Sequence, residues 1–435
     1  MRPSIGKIVA AAALATTLLA TAACTGAGDD AAEEPTGPVE LSFWSWAPGI
    51  EKTVDLWNQQ NPDMKVVLSK QAGGGDIVTK LLTAAKAGNP PDLAQVEYQS
   101  LPTLVSNDVL ADIAEQTADV KGKFPDGAWQ QVTLGTESVY AIPQDSGPMM
   151  LYYRADIFAE MGIAVPKTWD EFAAAARTVR QKDSRKYLTT FSANDPGWFA
   201  GLAQQAGASW WGIDGETWKV SVNDAATKKV ADYWGTLVNE GVISGNPMYT
   251  PEWNKALNDG TIIAWPSAVW GPGVLEGNAP DTKGKWAMAP LPQWAAGENK
   301  TGNWGGSSTG VTAASKHKAA AIKFATWMNT DPAATDSLIT AGAIYPAATD
   351  AQSSQHLQKP PAFFPEQADF YTSAKTIAGG AAGFTWGPNT NVTYDSYKDA
   401  FAKAITGKTP FSGALDLMQS ATVADMQKNG FTVAG

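Results

Sequence analysis

The sequence predicts an α/β protein with a largely parallel sheet, and three observations carry that reading. Residues 39–96 run strand, helix, strand, helix, strand, the order that builds parallel sheets covered by helices. Residues 139–153 hold two apolar runs around a polar segment, and a helix start follows at Thr168. The chain has 435 residues, enough for two domains with sizeable cores.

The elements follow in order. Residues 39–46 alternate apolar and polar side chains and form the first strand, which Pro48-Gly49 ends. Residues 51–60 form a helix with Val54 and Trp57 inward. Residues 64–68 are the second strand, and Gly73-Gly74-Gly75 is a loop. That triplet lacks the spacing and the Lys-Ser/Thr pair of a phosphate loop, which argues against a nucleotide site. Residues 76–87 form a helix with Ile77, Leu81 and Leu82 on one face, closed by Gly88. Asn89-Pro90-Pro91-Asp92 leads to a short strand at 93–96. Further on, Asn194-Asp195-Pro196-Gly197 is turn chemistry within an aromatic-rich stretch. Ser221 and Asp224 can cap a helix carrying Val230, Trp234, Leu237 and Val238, stopped by Gly241. Thr250-Pro251 opens another, ended by Gly260. Residues 261–265 read as a strand, 266–273 as a loop and 310–313 as a strand. Ser315 caps a helix at 316–328, and Asp331-Pro332 starts one that Gly342 ends.

Residues 139–142 read as a strand broken by Pro143. Polar Gln144, Asp145, Ser146 and Gly147 follow, then a second strand at 149–153. The pair could be a hairpin, or one extended path between two lobes with its polar middle exposed in a cleft. The capping box of Thr168 and Glu171 favours the passage, with Trp169, Phe172, Ala173, Ala176 and Val179 on one helical face.

Four motifs in fixed order then carry a resemblance. They are Ile142-Pro143, Leu151-Tyr152-Tyr153, Asp156-Ile157-Phe158 and Pro166-Lys167-Thr168-Trp169-Asp170-Glu171. Together they resemble the extracellular solute-binding proteins of ABC importers, in the carbohydrate-binding, maltose-binding-protein-like branch. Arg154 stands where that family usually has Asn. Ala264-Trp265 and Trp270-Gly271-Pro272 resemble the segment that places an aromatic residue in the sugar site. Residues 286–292 resemble the passage back to the first lobe. The resemblance implies a two-lobe, periplasmic-binding-protein-like fold of class II. Each lobe would be a mostly parallel sheet flanked by helices, with three crossovers at the hinge near Asp145, Pro290 and Ala343. Lobe 1 would hold residues 39–146 and 290–342, and lobe 2 residues 147–289 and 343–435.

The N-terminus reads as a signal peptide, residues 1–23, with Arg2 and Lys7 before an apolar run. Thr21-Ala22-Ala23 precedes Cys24, the only cysteine, and resembles a lipobox in which the thiol is lipidated. Thr21 replaces the usual Leu, which leaves open ordinary cleavage after Ala22 or Ala23. Residues 24–38 are Gly-, Ala-, Pro- and acid-rich and are expected to be a disordered tether. With one cysteine no disulfide can form within the chain. The formal charge of −11 argues against nucleic acid and anionic membrane surfaces as partners.

An enzyme reading finds no motif. His317 and His356 lie in polar segments and match no nucleophile or metal cluster. A glycosidase needs two carboxylates a few ångströms apart, and no motif pairs two acids. The sequence therefore predicts no catalytic set, no metal site and no cofactor. A secreted hydrolase and a structural surface lipoprotein are the rivals from other classes.

A sugar site needs aromatic faces for C–H surfaces and polar groups for hydroxyls. Eighteen Trp suggest a surplus beyond core needs. The expected binding residues are Trp46, Glu97, Tyr98, Asp145, Trp198, Trp270, Trp304, Gly305 and Trp386, with Trp270 and Trp304 facing each other across the cleft. The expected protein is a lipid-anchored monomer on the outer face of the cell membrane. Its partners would be a carbohydrate ligand and the permease subunits of an ABC transporter, with the membrane reached only through the anchor. A peptide or polyamine binder is the alternative among binding proteins.

Overall fold

Alternation of burial sets the first strand: Val39, Leu41, Phe43 and Ser45 point inward and their neighbours outward. The structure, a computed structural model, describes residues 37–434 apart from Glu216 and Ala382. The signal peptide, Cys24 and all but the last two residues of the expected tether lie outside the described residues. The described strands are β1 (Val39–Ser45), β2 (Met64–Lys70), β3 (Leu93–Glu97), β4 (Ile142–Pro143), β5 (Met149–Arg154), β6 (Trp211–Asp214), β7 (Thr217–Val220), β8 (Ala264–Ala268), β9 (Trp286–Pro290) and β10 (Ser307–Val311).

Two larger sheets form two lobes. The first has the order β2-β1-β3-β10-β4, with β1 parallel to β2 and β3 and with β10 antiparallel to both its neighbours. Helices Ile50–Gln60 and Lys318–Thr330 cover one side. Trp57 meets Phe324 edge-on at 5.3 Å, and Phe324 meets Phe43 at 5.6 Å.

The second sheet has the order β8-β5-β9 and pairs antiparallel throughout. A mostly parallel sheet was expected in each lobe; the first has two parallel and two antiparallel pairings, and the second is antiparallel for a geometric reason. β5 carries the chain away from the hinge, whereas β8 and β9 bring it back. Met149 and Met150, at the start of β5, therefore pair with Ala268 and Pro290 at the ends of β8 and β9. Pro266 sits inside β8, where the sequence reading placed a loop. β8 is an edge strand, so the missing N–H breaks no ladder.

Three further boundaries differ from expectation. Only Ile142–Pro143 of the first apolar run is strand, because Val139 and Tyr140 spend backbone groups on Ile113 and Val132. β10 starts at Ser307, three residues early. Ser315 does not cap the helix at 318: its hydroxyl donates to Asp92 Oδ1 at 2.6 Å and accepts the His317 N–H. The helix Trp169–Lys182 is as read. Thr168 Oγ1 accepts the Glu171 N–H, and Trp169, Phe172, Ala173, Ala176 and Val179 are buried.

The lobes meet at three crossings that run side by side. The Trp304 N–H donates to the Gly147 carbonyl at 2.8 Å, and Pro148 bridges Asn303. On the other flank Asp145 bridges Pro346, and the Ser146 N–H donates to the Tyr345 carbonyl. A Cβ at Gly147 would lie 2.2 Å from the Trp304 carbonyl oxygen, so this close pass requires glycine.

Candidate ligand-binding site

The crossings leave a cavity of about 950 Å³ between the lobes, within the range of small-molecule sites. The ends of β1 and β3 bring Trp46, Gln95 and Glu97 to it. The first crossing brings Asp145, and the second brings Trp304 and Gly305. The second lobe supplies Asn194, Asp195 and Trp270, and the third crossing Tyr345. Helix Thr390–Ile405 adds Asn391, Tyr394 and Lys398.

Of the residues nominated from sequence, Trp46, Glu97, Asp145, Trp270, Trp304 and Gly305 line this cavity. Tyr98, Trp198 and Trp386 do not. Trp198 is fully buried in the second lobe, edge-on to Phe191 and Trp234, with its indole N–H on the Pro266 carbonyl at 3.0 Å. Asp195 caps its helix and turns that indole inward. Tyr98 follows Glu97 at a strand end, so it points away. Its hydroxyl donates to the Asp145 carbonyl at 2.9 Å. Trp386 donates to Gln131 Oε1 and packs on Phe384. Tyr98 and Trp386 border a second cavity of about 370 Å³, and Ser146 and Gly305 belong to both cavities.

Trp270 and Trp304 do not face each other across an open gap. Their ring centroids lie 4.6 Å apart, edge to face, and the Trp270 indole donates to the Trp304 carbonyl at 3.0 Å. No sugar ring fits between them. Trp304 is nearly buried, against Tyr249, Trp265 and Trp270, and forms part of one aromatic wall.

Sequence reasoning missed Asn194, Asp195, Tyr345, Asn391, Tyr394 and Lys398. A signal existed for three of them. Positions 391, 394 and 398 are spaced three and four apart, on one face of one helix. Asp195 was read as turn chemistry. It does cap its helix, accepting the Trp198 N–H at 2.9 Å, and it borders the cavity as well.

The cavity is acidic. Burial, then the charges of Asp145 and Asp195, push Glu97 up to about 7. Burial pushes Asp145 up to about 6, against its bonds from Ser307. Burial also pushes Asp195 up to about 6, against the Trp198 N–H, the Trp304 indole and Lys398. Glu97 and Asp145 belong to the first lobe's side and Asp195 to the second. Ionised carboxylates accept hydrogen bonds and donate none, so the site is shaped for a ligand rich in donors. Among the described residues, no group of three His, Cys, Asp or Glu is placed to hold a metal ion.

Two lobes that share three crossings and hold a polar, aromatic-walled cavity between them make a two-lobed solute-binding protein. The family follows from the sequence: residues 44–335 match the bacterial extracellular solute-binding proteins, and the chain belongs to that family. The arabinooligosaccharide-binding protein of Halalkalibacterium halodurans is 25% identical over 348 residues, 77% of this chain and 76% of that protein. The solved galacto-N-biose-/lacto-N-biose I-binding protein of the ABC transporter from Bifidobacterium longum, in complex with lacto-N-biose, has a TM-score of 0.84. It is 29% identical, covering 92% of this chain and 100% of that one. The ABC transporter associated binding protein from B. animalis subsp. lactis Bl-04, in complex with beta-1,6-galactobiose, has a TM-score of 0.80 at 25% identity, covering 91% and 99%.

Two outcomes follow from this geometry. Trp198→Ala should cost roughly 3–5 kcal/mol of folding stability, the range for a core Trp. Trp46→Ala, at the half-buried cavity rim, should cost far less, and urea titration of both compares them.

The raised carboxyl values give a pH dependence with a definite sign. The folded cleft binds more protons than the unfolded chain between about pH 4 and 7. Stability from these groups is complete below the unfolded values and is lost as pH rises through 6 to 7. The ligand-free melting temperature should therefore fall between pH 5 and pH 8, and Glu97→Gln should flatten the slope. A Glu97→Gln slope equal to wild type would show that Glu97 does not titrate in this window.

Proposed function

We propose that this protein is the extracellular substrate-binding component of an ABC transporter. It captures a sugar or oligosaccharide in the interlobe cleft and hands it to the membrane permease. The observation that carries this reading is the cavity, where aromatic faces of Trp46, Trp270 and Tyr394 stand beside the acceptors Glu97, Asp145 and Asp195. Aromatic faces take the C–H surface of a sugar and carboxylates take its hydroxyls. The relatives' sugar ligands support the same class. Four acids against one lysine on the cavity wall disfavour anionic ligands such as uronates or sugar phosphates. The second reading is a solute bearing an amine, which the three clustered carboxylates favour.

The lobes divide at the crossings, with residues 39–146 in lobe 1 and 147–289 in lobe 2; the boundary expected at 290 falls instead at the second crossing near Trp304, because Gln293 bridges Thr168 and Trp294 packs on Trp169 and Tyr233. The lobes close on the ligand as a monomer. Among the described residues, no helix is long and apolar enough to cross a membrane. Attachment to the outer face of the membrane falls to a lipid on Cys24. Intact-mass analysis of protein from the native cell envelope should show a diacylglyceryl adduct there, and an unmodified Cys24 would remove the anchor.

A melting screen over neutral mono- and oligosaccharides, uronates and polyamines tests the ligand class. A true ligand at 100 times its dissociation constant adds about 2.7 kcal/mol. Neutral oligosaccharides should raise the melting temperature and uronates should not. For the best sugar, Trp270→Ala should weaken binding by about 2 kcal/mol, on the order of thirty-fold. A response to polyamines alone would transfer the site to the second reading.

A further inference from the structure

Gln95, on β3, is 2% exposed, and its side chain borders the cavity beneath Trp46 and Asp145. Its amide reaches in two directions. Oε1 accepts from the Ser45 hydroxyl at 2.7 Å, the Trp46 N–H at 3.2 Å and the Ala47 N–H at 3.1 Å. Nε2 donates to Ser307 Oγ at 2.9 Å. The Ser307 hydroxyl then donates to Asp145 Oδ1 at 2.7 Å, and the Ser307 N–H donates to the same oxygen at 2.5 Å. Among the described residues, Asp145 Oδ2 receives no hydrogen bond.

The direction of this chain is fixed. Flipping the Gln95 amide would set its NH₂ against two backbone N–H donors, leaving buried groups unpaired. Because Ser307 Oγ accepts a hydrogen bond from Gln95, its own O–H is free to donate to Asp145. One side chain thus ties the loop after β1 to the first and second crossings, parts of the chain far apart in sequence.

We propose that Gln95 is a positioning residue for ligand binding. It fixes the Trp46 wall and the Asp145 acceptor as one unit and, through Ser307, leaves Oδ2 of Asp145 for the ligand. This rests on the binding-site reading above, and its test separates the two.

Gln95→Glu keeps the acceptor for Trp46 and Ala47 but replaces the donor to Ser307 with oxygen. Gln95→Leu removes both. In ligand-free protein, hydrogen–deuterium exchange should quicken over residues 45–48 and 305–308 together in Gln95→Leu. In Gln95→Glu it should quicken over 305–308 alone. Affinity for the best sugar of the melting screen, measured for the folded fraction, should fall about tenfold or more in Gln95→Glu. Wild-type affinity in Gln95→Glu overturns the proposal, as does Gln95→Leu loosening 45–48 while 305–308 is unchanged. The exchange measurement needs no ligand. If no sugar binds the wild type, the functional reading fails and the exchange pattern still decides the role of Gln95. If Gln95→Leu does not fold, Gln95→Glu alone decides it.

Discussion

The packing of three backbone crossings against one another is the constraint on which the site depends. The middle crossing carries Gly147, and the Trp304 carbonyl lies where any side chain there would sit. That contact fixes the backbone of Trp304 and so aims its ring at Tyr249, Trp265 and Trp270. Gly305 and Gly306, both at positive φ, then turn the chain into β10. Ser307, the first residue of β10, grips Asp145 on the middle crossing. An aromatic wall and an acid acceptor therefore share one frame, and neither depends on a flexible loop. Under the closure proposed above, the same crossings would also carry the movement of the lobes. Motion concentrates in such short segments because each lobe has its own packed core and resists deformation.

Much of the fold was legible because local rules and tertiary packing agreed. The first two strands alternate in burial, and capping at Thr168, Asp224 and Asp331 starts helices where the sequence says. The antiparallel second sheet was not legible, since direction there follows from which strands leave the hinge and which return. Pattern within a strand does not encode that. The cavity was half legible. Residues at strand ends and on the crossings could be placed, because topology carries them to the hinge. Tryptophan in a polar, glycine-flanked loop proved a poor guide. Trp198 has polar turn residues before it, yet the first turn of its helix rotates it into a cluster with Phe191 and Trp234. Most of the eighteen Trp are buried, so their number reflects aromatic packing in the cores more than a need of the site. The residues from helix Thr390–Ile405 were invisible because that segment returns to the cleft from nearly 250 residues beyond the first crossing.

Closure sets the electrostatic problem that a ligand must solve. Glu97 and Asp145 stand on one side of the cavity and Asp195 on the other, each half-buried. Burying ionised carboxylates in a confined space is unfavourable, and their raised proton affinity expresses that cost, to which the charges of Asp145 and Asp195 add at Glu97. A ligand that donates hydrogen bonds to all three offsets it only in the closed state, because only then are both sides within reach. Such a ligand binds the closed state better than the open one, which is the condition for a population shift. Moving an equilibrium from 1:99 to 99:1 needs a preference of about 10⁴, or about 5.5 kcal/mol. Charge-assisted hydrogen bonds contribute about 1.5–3 kcal/mol each, so two or three across the cleft are of the right size. Under the closure proposed above, burial of these acids disfavours the empty closed cleft, and a donor-rich ligand offsets that cost. Stacking on the aromatic wall adds affinity, and the acids divided between the lobes make that affinity depend on closure.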